Sequence, residues 1–224
     1  MNVLTEQEYL SLIGGAKLLE KDTCGPKVFL TVDRKVCKLF RCKRAFSSTR
    51  LYPYVKRFAD NADKLRKKGI ASVSVREIYR VPHINRDLVH YEYLEGKTLR
   101  DTLKEEYSDQ LIEGTARFIA QLHNSGIYFR SLHFGNIIIL PNGDFGLIDI
   151  SDMKIKRRSL SISKRVRNFK ALMRYEVDLK SINNLGFEPF VEAYLQASSL
   201  TMKSFLRTLR LQVKHPAAEY LLKK

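Results

Sequence analysis

Long apolar runs are missing from this chain. Nowhere do about 18 or more apolar residues follow one another, so a membrane-spanning helix is not expected. The opening MNVLTEQEYL has no basic segment leading into an apolar one, and secretion is not expected either. Cysteine is scarce: Cys24, Cys37 and Cys42 form an odd set without C-x-x-C spacing or a nearby His pair. That argues against both a disulfide framework and a zinc site, and makes a reducing cytoplasm the expected setting. Internal repeats and low-complexity tracts are absent. Acid is also in short supply, with 24 Asp+Glu against 40 Lys+Arg and a formal charge of +16. Such a field attracts polyanions, which leaves nucleic acid, an anionic membrane surface or a phosphorylated substrate open. What remains is ordinary: 44% hydrophobic and 29% charged residues over 224 positions, enough for one sizeable domain or two small lobes.

The local patterns change character near the middle. Residues 4–12 read as a short helix with Thr5 as N-cap, followed over 17–40 by three short β-prone runs, LLEKD, KVFLTV and KVCKLF, separated by T-C-G-P and D-R turns. Residues 50–68 switch to helical spacing, with Leu51, Val55, Phe58, Ala62 and Leu65 on one face and Gly69 as the stop. SVSVREIYRV and RDLVHYEYL give two further strands around P-H-I-N-R. Beyond Glu95-Gly96 the chain reads mainly helical: 99–106, 108–124, 161–179, 187–198 and 200–213. One hairpin interrupts it, NIIIL and FGLIDI around P-N-G-D. The expectation is an α+β, bilobal layout. Residues 1–94 would form a five-stranded sheet with one helix, and residues 95–224 a helical lobe.

Thirteen residues separate Asn136 from Asp149, with the hairpin between them. A hairpin of that length brings its two ends to one edge, so an amide oxygen and a carboxylate can converge. Hard oxygen ligands of this kind suit Mg²⁺, which completes its shell with water and phosphate oxygens. The surrounding strings, F-R-S-L-H-F-G-N over 129–136 and D-I-S at 149–151, resemble the H-R-D-x-x-x-x-N and D-F-G signatures of protein kinases. L-H-x-G-N, at Leu132 to Asn136, is similar to the loop of the superfamily's small-molecule branch. His123 and Gly126 fit that branch's L-H-x-x-G lead-in, although His123 alone reads as a packed helix-end histidine. Lys38 in V-C-K-L-F stands where such folds carry the lysine that pairs ATP phosphates. Glu92 to Gly96 matches an E-Y-L-x-G hinge, in which Glu92 and Leu94 would hold adenine through their backbones. Two departures accompany these matches. The helix over 50–68 contains no glutamate to pair Lys38, leaving only Asp60 and Asp63, and the glycine-rich loop is reduced to Gly25 in T-C-G-P.

Tyr54–Gly69, Gly126–Asn136 and Gly146–Arg158 carry a narrower resemblance, to bacterial lipopolysaccharide kinases that phosphorylate core heptose or Kdo sugars, and in particular to toluene-tolerance-type sequences. It covers roughly 17–180. It implies a protein-kinase-like fold, ATP and Mg²⁺ as cofactors, and an anionic lipopolysaccharide core acceptor. The run 153–175, with nine Lys or Arg and no acid, would meet that acceptor through Lys156, Arg157 and Arg158, or rest on the inner leaflet as a peripheral contact. It can also be read as a solvated helical face. Arg130 would steady the loop or contact a phosphate. Ser131 stands at the position of the loop aspartate and has no accessible charge change near neutral pH. His133 or Asp152 would then be the proton acceptor, His133 reading equally as a structural residue. A sugar kinase, a pseudokinase scaffold in envelope biogenesis and a basic binding module all remain open. Nucleic acid is not the expected partner.

Overall fold

The computed structural model describes residues 1–23, 25–41, 52–198 and 200–212; Cys24, Cys42 and Leu51 lie outside the described residues. The chain forms two compact units, Met1–Glu95 with Ile148–Asp152, and Gly96–Leu147 with Met153 onward. It is an α+β protein, the first unit rich in strands and the second mainly helical.

In the first unit, α1 (Glu6–Ile13) starts at Thr5. The Thr5 hydroxyl accepts from Glu8 N–H at 3.2 Å, while the Glu8 carboxylate accepts from Thr5 N–H at 2.7 Å. The strands β1 (Asn2–Val3), β2 (Lys17–Asp22), β3 (Gly25–Leu30), β4 (Lys35–Arg41), β6 (Val75–Val81) and β7 (Arg86–Glu92) make one sheet in the order β1-β6-β7-β4-β3-β2. The sixth strand is β1, which pairs parallel to β6 through Asn2↔Tyr79. Two residues are too short to show a period, so sequence reading gives only five. The helix α2 (Tyr54–Lys67) buries Val55, Phe58, Ala62 and Leu65 and ends before Gly69, whose φ of 67° suits a glycine stop. A short β5 (Ala71–Ser72) follows.

β4 lies inside the sheet, between β3 and β7, with Lys38 opposite Val28 on one side and Val89 on the other. Side chains alternate along a strand. Cys37 and Leu39 join Tyr9, Phe29, Val81 and Leu88 in one core, so Lys38 points to the opposite face. There its ammonium lies 5.8 Å from the Phe40 ring, which packs on Phe58 of α2.

The second unit begins with β8 (Lys97–Thr98), α3 (Leu99–Glu105) and α4 (Asp109–Asn124), the two helices capped by the hydroxyls of Thr98 and Ser108. β10 (Ile137–Ile139) pairs with β8 and with β11 (Phe145–Leu147). β9 (Ile127–Phe129) pairs antiparallel with β12 (Met153–Ile155). α5 (Ile162–Leu172), α6 (Glu176–Leu185), α7 (Phe187–Ser198) and α8 (Met202–Gln212) complete the unit. Three sequence expectations change. The second hairpin strand stops at Leu147. The start of the basic run, also read as part of a solvated helical face, is strand β12. The single helix expected over 161–179 breaks at 173–175, where extended Tyr175 (φ −101°) places its ring 4.3 Å from that of His133 and starts a new, acid-led helix.

A buried polar chain ties α5 and α7 to β9. Arg165, 2% exposed, donates to Leu160 O (2.9 Å), Asn124 Oδ1 (2.9 Å), Ser159 Oγ (3.1 Å) and Tyr194 Oη (3.2 Å). Tyr194 Oη lies 2.8 Å from His123 Nδ1, and His123 Nε2 lies 3.2 Å from Asn168 Oδ1. Asn168 grips Phe129 at both backbone groups, Phe129 N–H to Oδ1 at 3.2 Å and Nδ2–H to Phe129 O at 2.5 Å. Phe129 immediately precedes the Arg130-Ser131 loop, so the loop's entry is fixed from the helical core.

Burial, and after it the Arg165 charge, pushes His123 down to about 3, against its hydrogen bond to Asn168 Oδ1. The histidine is therefore neutral in the folded protein, whereas an unfolded histidine takes up a proton near 6.5. Stability is full above 6.5 and is lost as the pH falls toward about 3. The slope is about 1.4 kcal/mol per pH unit. Urea unfolding at pH 7.5 and 5.0 should show the wild type losing about 2 kcal/mol more than His123→Gln; equal losses would show that His123 does not set the slope.

Candidate functional site

The first unit contributes an ion pair between a buried lysine and a half-buried aspartate. Lys38 is 5% exposed, and its ammonium lies 2.7 Å from Asp149 Oδ1. A buried ammonium without a counter-charge is strongly disfavoured, and Asp149 is its carboxylate partner here. The aspartate is held from two further directions. Its backbone is left-handed, φ 53°, a conformation a non-glycine residue keeps only when its surroundings enforce it. Next to it, buried Asn61 of α2 donates to Ile150 O at 2.7 Å. Burial, with Asp149's charge second, pushes the Tyr91 phenol up, so Tyr91 stays neutral beside the pair. Oδ2 of Asp149 has no protein partner among the described residues.

The second unit contributes the loop 130–136. Asn136 is buried and spends its amide N–H on Ser131 O at 2.8 Å, which leaves its amide oxygen as the open polar atom. Leu132 and Phe134, 1% and 0% exposed, anchor the loop in the core on either side of His133. Asp178 of α6, with no exposed surface, binds Arg100 twice, to Nε at 2.7 Å and Nη2 at 2.9 Å, and accepts from Phe134 N–H at 2.8 Å. Arg100 lies over the Tyr175 ring (5.3 Å) and passes so near Gly135 that a Cβ there would come within 2.9 Å of Nη1. A larger residue than glycine in L-H-x-G-N would therefore press on the guanidinium that Asp178 holds. Ser131 is half-buried and Arg130 is exposed.

Some expected partners meet and others do not. Lys38 pairs with Asp149 rather than with Asp60 or Asp63: Asp60 accepts from the Tyr52 hydroxyl, and exposed Asp63 pairs with Arg66 at 3.3 Å. Where a helix glutamate would reach for the lysine, α2 offers Asn61, which holds Ile150 O instead. The Glu92 carboxylate binds Arg76, its N–H donates to Ser74 O at 2.9 Å, and Leu94 is half-buried just after β7. Lys156, Arg157 and Arg158 are exposed after β12, but Arg165 of the same basic run is interior and structural. Sequence reading misses Asn61, Arg100, Asn168 and Asp178. Only Asp178 leaves a trace, as a carboxylate soon after the acid-free stretch.

Among the described residues no group of three or more His, Cys, Asp or Glu gathers to cage a metal. The oxygen atoms at Asp149 Oδ2 and Asn136 Oδ1 are hard donors in small number. Each, within its own unit, is an oxygen of the kind that Mg²⁺ takes together with phosphate and water. Among the described residues no helix is long and apolar enough to cross a membrane.

No protein-family model matches this chain, and no curated protein matches it in sequence. Among solved structures it is similar to monomeric WbdD, with 15% identity over 82% of this chain and 44% of that one, at a TM-score of 0.49. It is similar also to the bifunctional kinase-methyltransferase WbdD, with 16% identity over 87% and 46% and a TM-score of 0.46. A third is a divergent kinase lacking the glycine-rich loop, which regulates membrane ultrastructure of the Toxoplasma parasitophorous vacuole: 15% identity over 100% and 85%, TM-score 0.46. The chain spans less than half the length of the WbdD chains.

Two substitution series test the geometry. Asp149→Asn keeps a side chain that tolerates the left-handed backbone but removes the charge, and should cost about 1–3 kcal/mol. In the Lys38→Met background the same change should cost much less; additive losses would show that the pair contributes nothing. Asp178→Asn should cost about 1–3 kcal/mol, by leaving half-buried Arg100 without its charge partner and weakening the hydrogen bonds that the buried carboxylate accepts. It should also strip hydrogen-exchange protection from the loop amide of Phe134. Asp63→Asn, at an exposed pair, should cost under about 0.5 kcal/mol.

Proposed function

We propose that this protein is an ATP- and Mg²⁺-dependent phosphotransferase acting on a heptose or Kdo sugar of the lipopolysaccharide core. The observation that carries the reading is the ion pair of buried Lys38 with half-buried Asp149. A lysine inside the sheet and a carboxylate held in a left-handed backbone form an arrangement far more constrained than packing needs. The sequence match of Leu132 to Asn136 and the position of Asp149 after the hairpin support it. Lys38 would contact nucleotide phosphate, and the segment through Glu92 and Leu94 would receive adenine along its backbone. Asn136 and Asp149 would hold the metal, which supplies charge neutralisation on phosphate oxygens when bound. Arg130, Lys156, Arg157 and Arg158 would face the acceptor from the basic side of the second unit.

Ser131 sets the limit on rate. Phosphoryl transfer draws mainly on positioning and charge neutralisation. A missing general base costs about 10²–10⁴-fold. A pseudokinase regulating envelope assembly is the second reading, favoured by Ser131 and by the engagement of Asp149 with Lys38. A cytoplasmic location, peripheral to the inner membrane, accompanies both readings.

Thermal-shift titration with ATP and Mg²⁺ separates them from a plain binding module. Stabilisation should appear with both ligands and vanish in Asp149→Asn; no stabilisation at millimolar nucleotide would sink the nucleotide-dependent reading. Turnover on dephosphorylated core oligosaccharide should be slow and should rise about 10²-fold or more in Ser131→Asp. Nucleotide binding with no turnover in either form would select the pseudokinase.

A further inference from the structure

The first unit contains a cavity of about 490 Å³ at the end of α2. Small-molecule sites have volumes of about 300–1,000 Å³. Ala62, Asp63 and Arg66 line the cavity from α2, and residues 69–75, which run from the glycine stop through β5 into β6, supply the rest. All of them lie within Met1–Glu95. Gly69 turns the chain away from the helix with its φ of 67°, and a Cβ there would meet nothing within 4 Å. The wall is nevertheless held. Gly69 N–H donates to Arg66 O at 3.1 Å, Ile70 N–H donates to Leu65 O at 3.0 Å, and Ser74 O accepts from Glu92 N–H at 2.9 Å.

The lining divides by polarity. Ala62, Ile70 and Val73 are buried and give the cavity an apolar side. One acid and one base line it, Asp63 and Arg66, joined by a single Nη2–Oδ1 contact of 3.3 Å with both side chains largely exposed. Such a pair is worth about 0–1 kcal/mol, so little is lost when a ligand separates the two charges. A lone carboxylate is too few ligands to hold a metal ion.

We propose that this cavity binds a small zwitterion of the α-amino acid type with an apolar side chain. Its carboxylate would take two parallel hydrogen bonds from the Arg66 guanidinium, and its ammonium would donate to Asp63. Its side chain would cover Ala62, Ile70 and Val73. A ligand carrying both charges satisfies both members of the pair. A purely anionic ligand matches less well: it would take Arg66 and set its own charge against Asp63, three residues away on the same face of α2. Asp63, which does not serve Lys38, thereby has a task of its own. The site stands apart from the proposed phosphate chemistry and does not rest on it.

Calorimetric titration of the full chain tests this with L-leucine and L-phenylalanine. The controls are leucinamide, which lacks the carboxylate, and N-acetylleucine, which lacks the ammonium. Saturable binding of at least one of the two amino acids is expected, with both single-charge analogues weaker by about tenfold or more. Asp63→Asn and Arg66→Gln should each weaken amino-acid binding by a similar factor while urea unfolding shows the fold intact. Ser74→Trp, which narrows the cavity and leaves both charges in place, should block it. No saturable binding of either amino acid, or undiminished affinity in Asp63→Asn and Arg66→Gln, would overturn the proposal. N-acetylleucine binding as tightly as leucine would overturn its zwitterion basis and leave an anion site on Arg66 alone.

Discussion

A lysine ammonium with almost no access to water sits inside a sheet, and much of the first unit is arranged around that fact. Charge at Lys38 is tolerable only with a carboxylate in contact, and α2, the helix that covers its face of the sheet, brings none there. The carboxylate comes instead from Ile148–Asp152, a segment far along the chain that belongs to the first unit. Asn61 then takes on a different task, holding Ile150 O so that the segment stays where the lysine needs it. The left-handed turn at Asp149 follows from these two attachments.

The second unit solves a related problem with hydrogen bonds and one ion pair. The loop 130–136 is short on regular structure, so its geometry must come from its neighbours. Asn168 fixes the residue before it, Asp178 and Arg100 fix its middle, and the Asn136 amide closes it on Ser131. Three separate elements thus hold about seven residues, which is how a loop obtains the precision of a helix or strand.

How much of this is legible in the sequence depends on range. Thr5, Thr98 and Ser108 announce their helices because capping is local, and Val55, Phe58, Ala62 and Leu65 announce a buried face because spacing is local. The α+β division shows in the switch of period near Glu95-Gly96. Strands of two or three residues, such as Asn2–Val3 and Met153–Ile155, carry no period and surface only through their partners. At the site, Lys38, Asn136 and Asp149 are marked by motif. The pairing of Lys38 with Asp149 is not, because more than a hundred residues separate the two and the expected helix offered two nearer aspartates. Arg165 misleads in the opposite direction: by composition it belongs to a basic surface run, and only burial reveals it as interior.

The chain from Arg165 to Phe129 has a direction. Arginine can only donate, so the Tyr194 oxygen accepts from it and passes its own hydrogen to His123 Nδ1. His123 must then carry its proton on Nε2 and give it to Asn168 Oδ1, which turns the amide so that its nitrogen meets Phe129 O. The tautomer of one residue and the amide orientation of another are thereby dictated by a guanidinium several side chains away. Reversing any single link sets two donors or two acceptors face to face at the next. An aspartate in place of Asn168, nearly identical in shape, would point an oxygen at the Phe129 carbonyl. Similarity of size is thus no guide to substitution here; the polarity of each position is inherited from its neighbour.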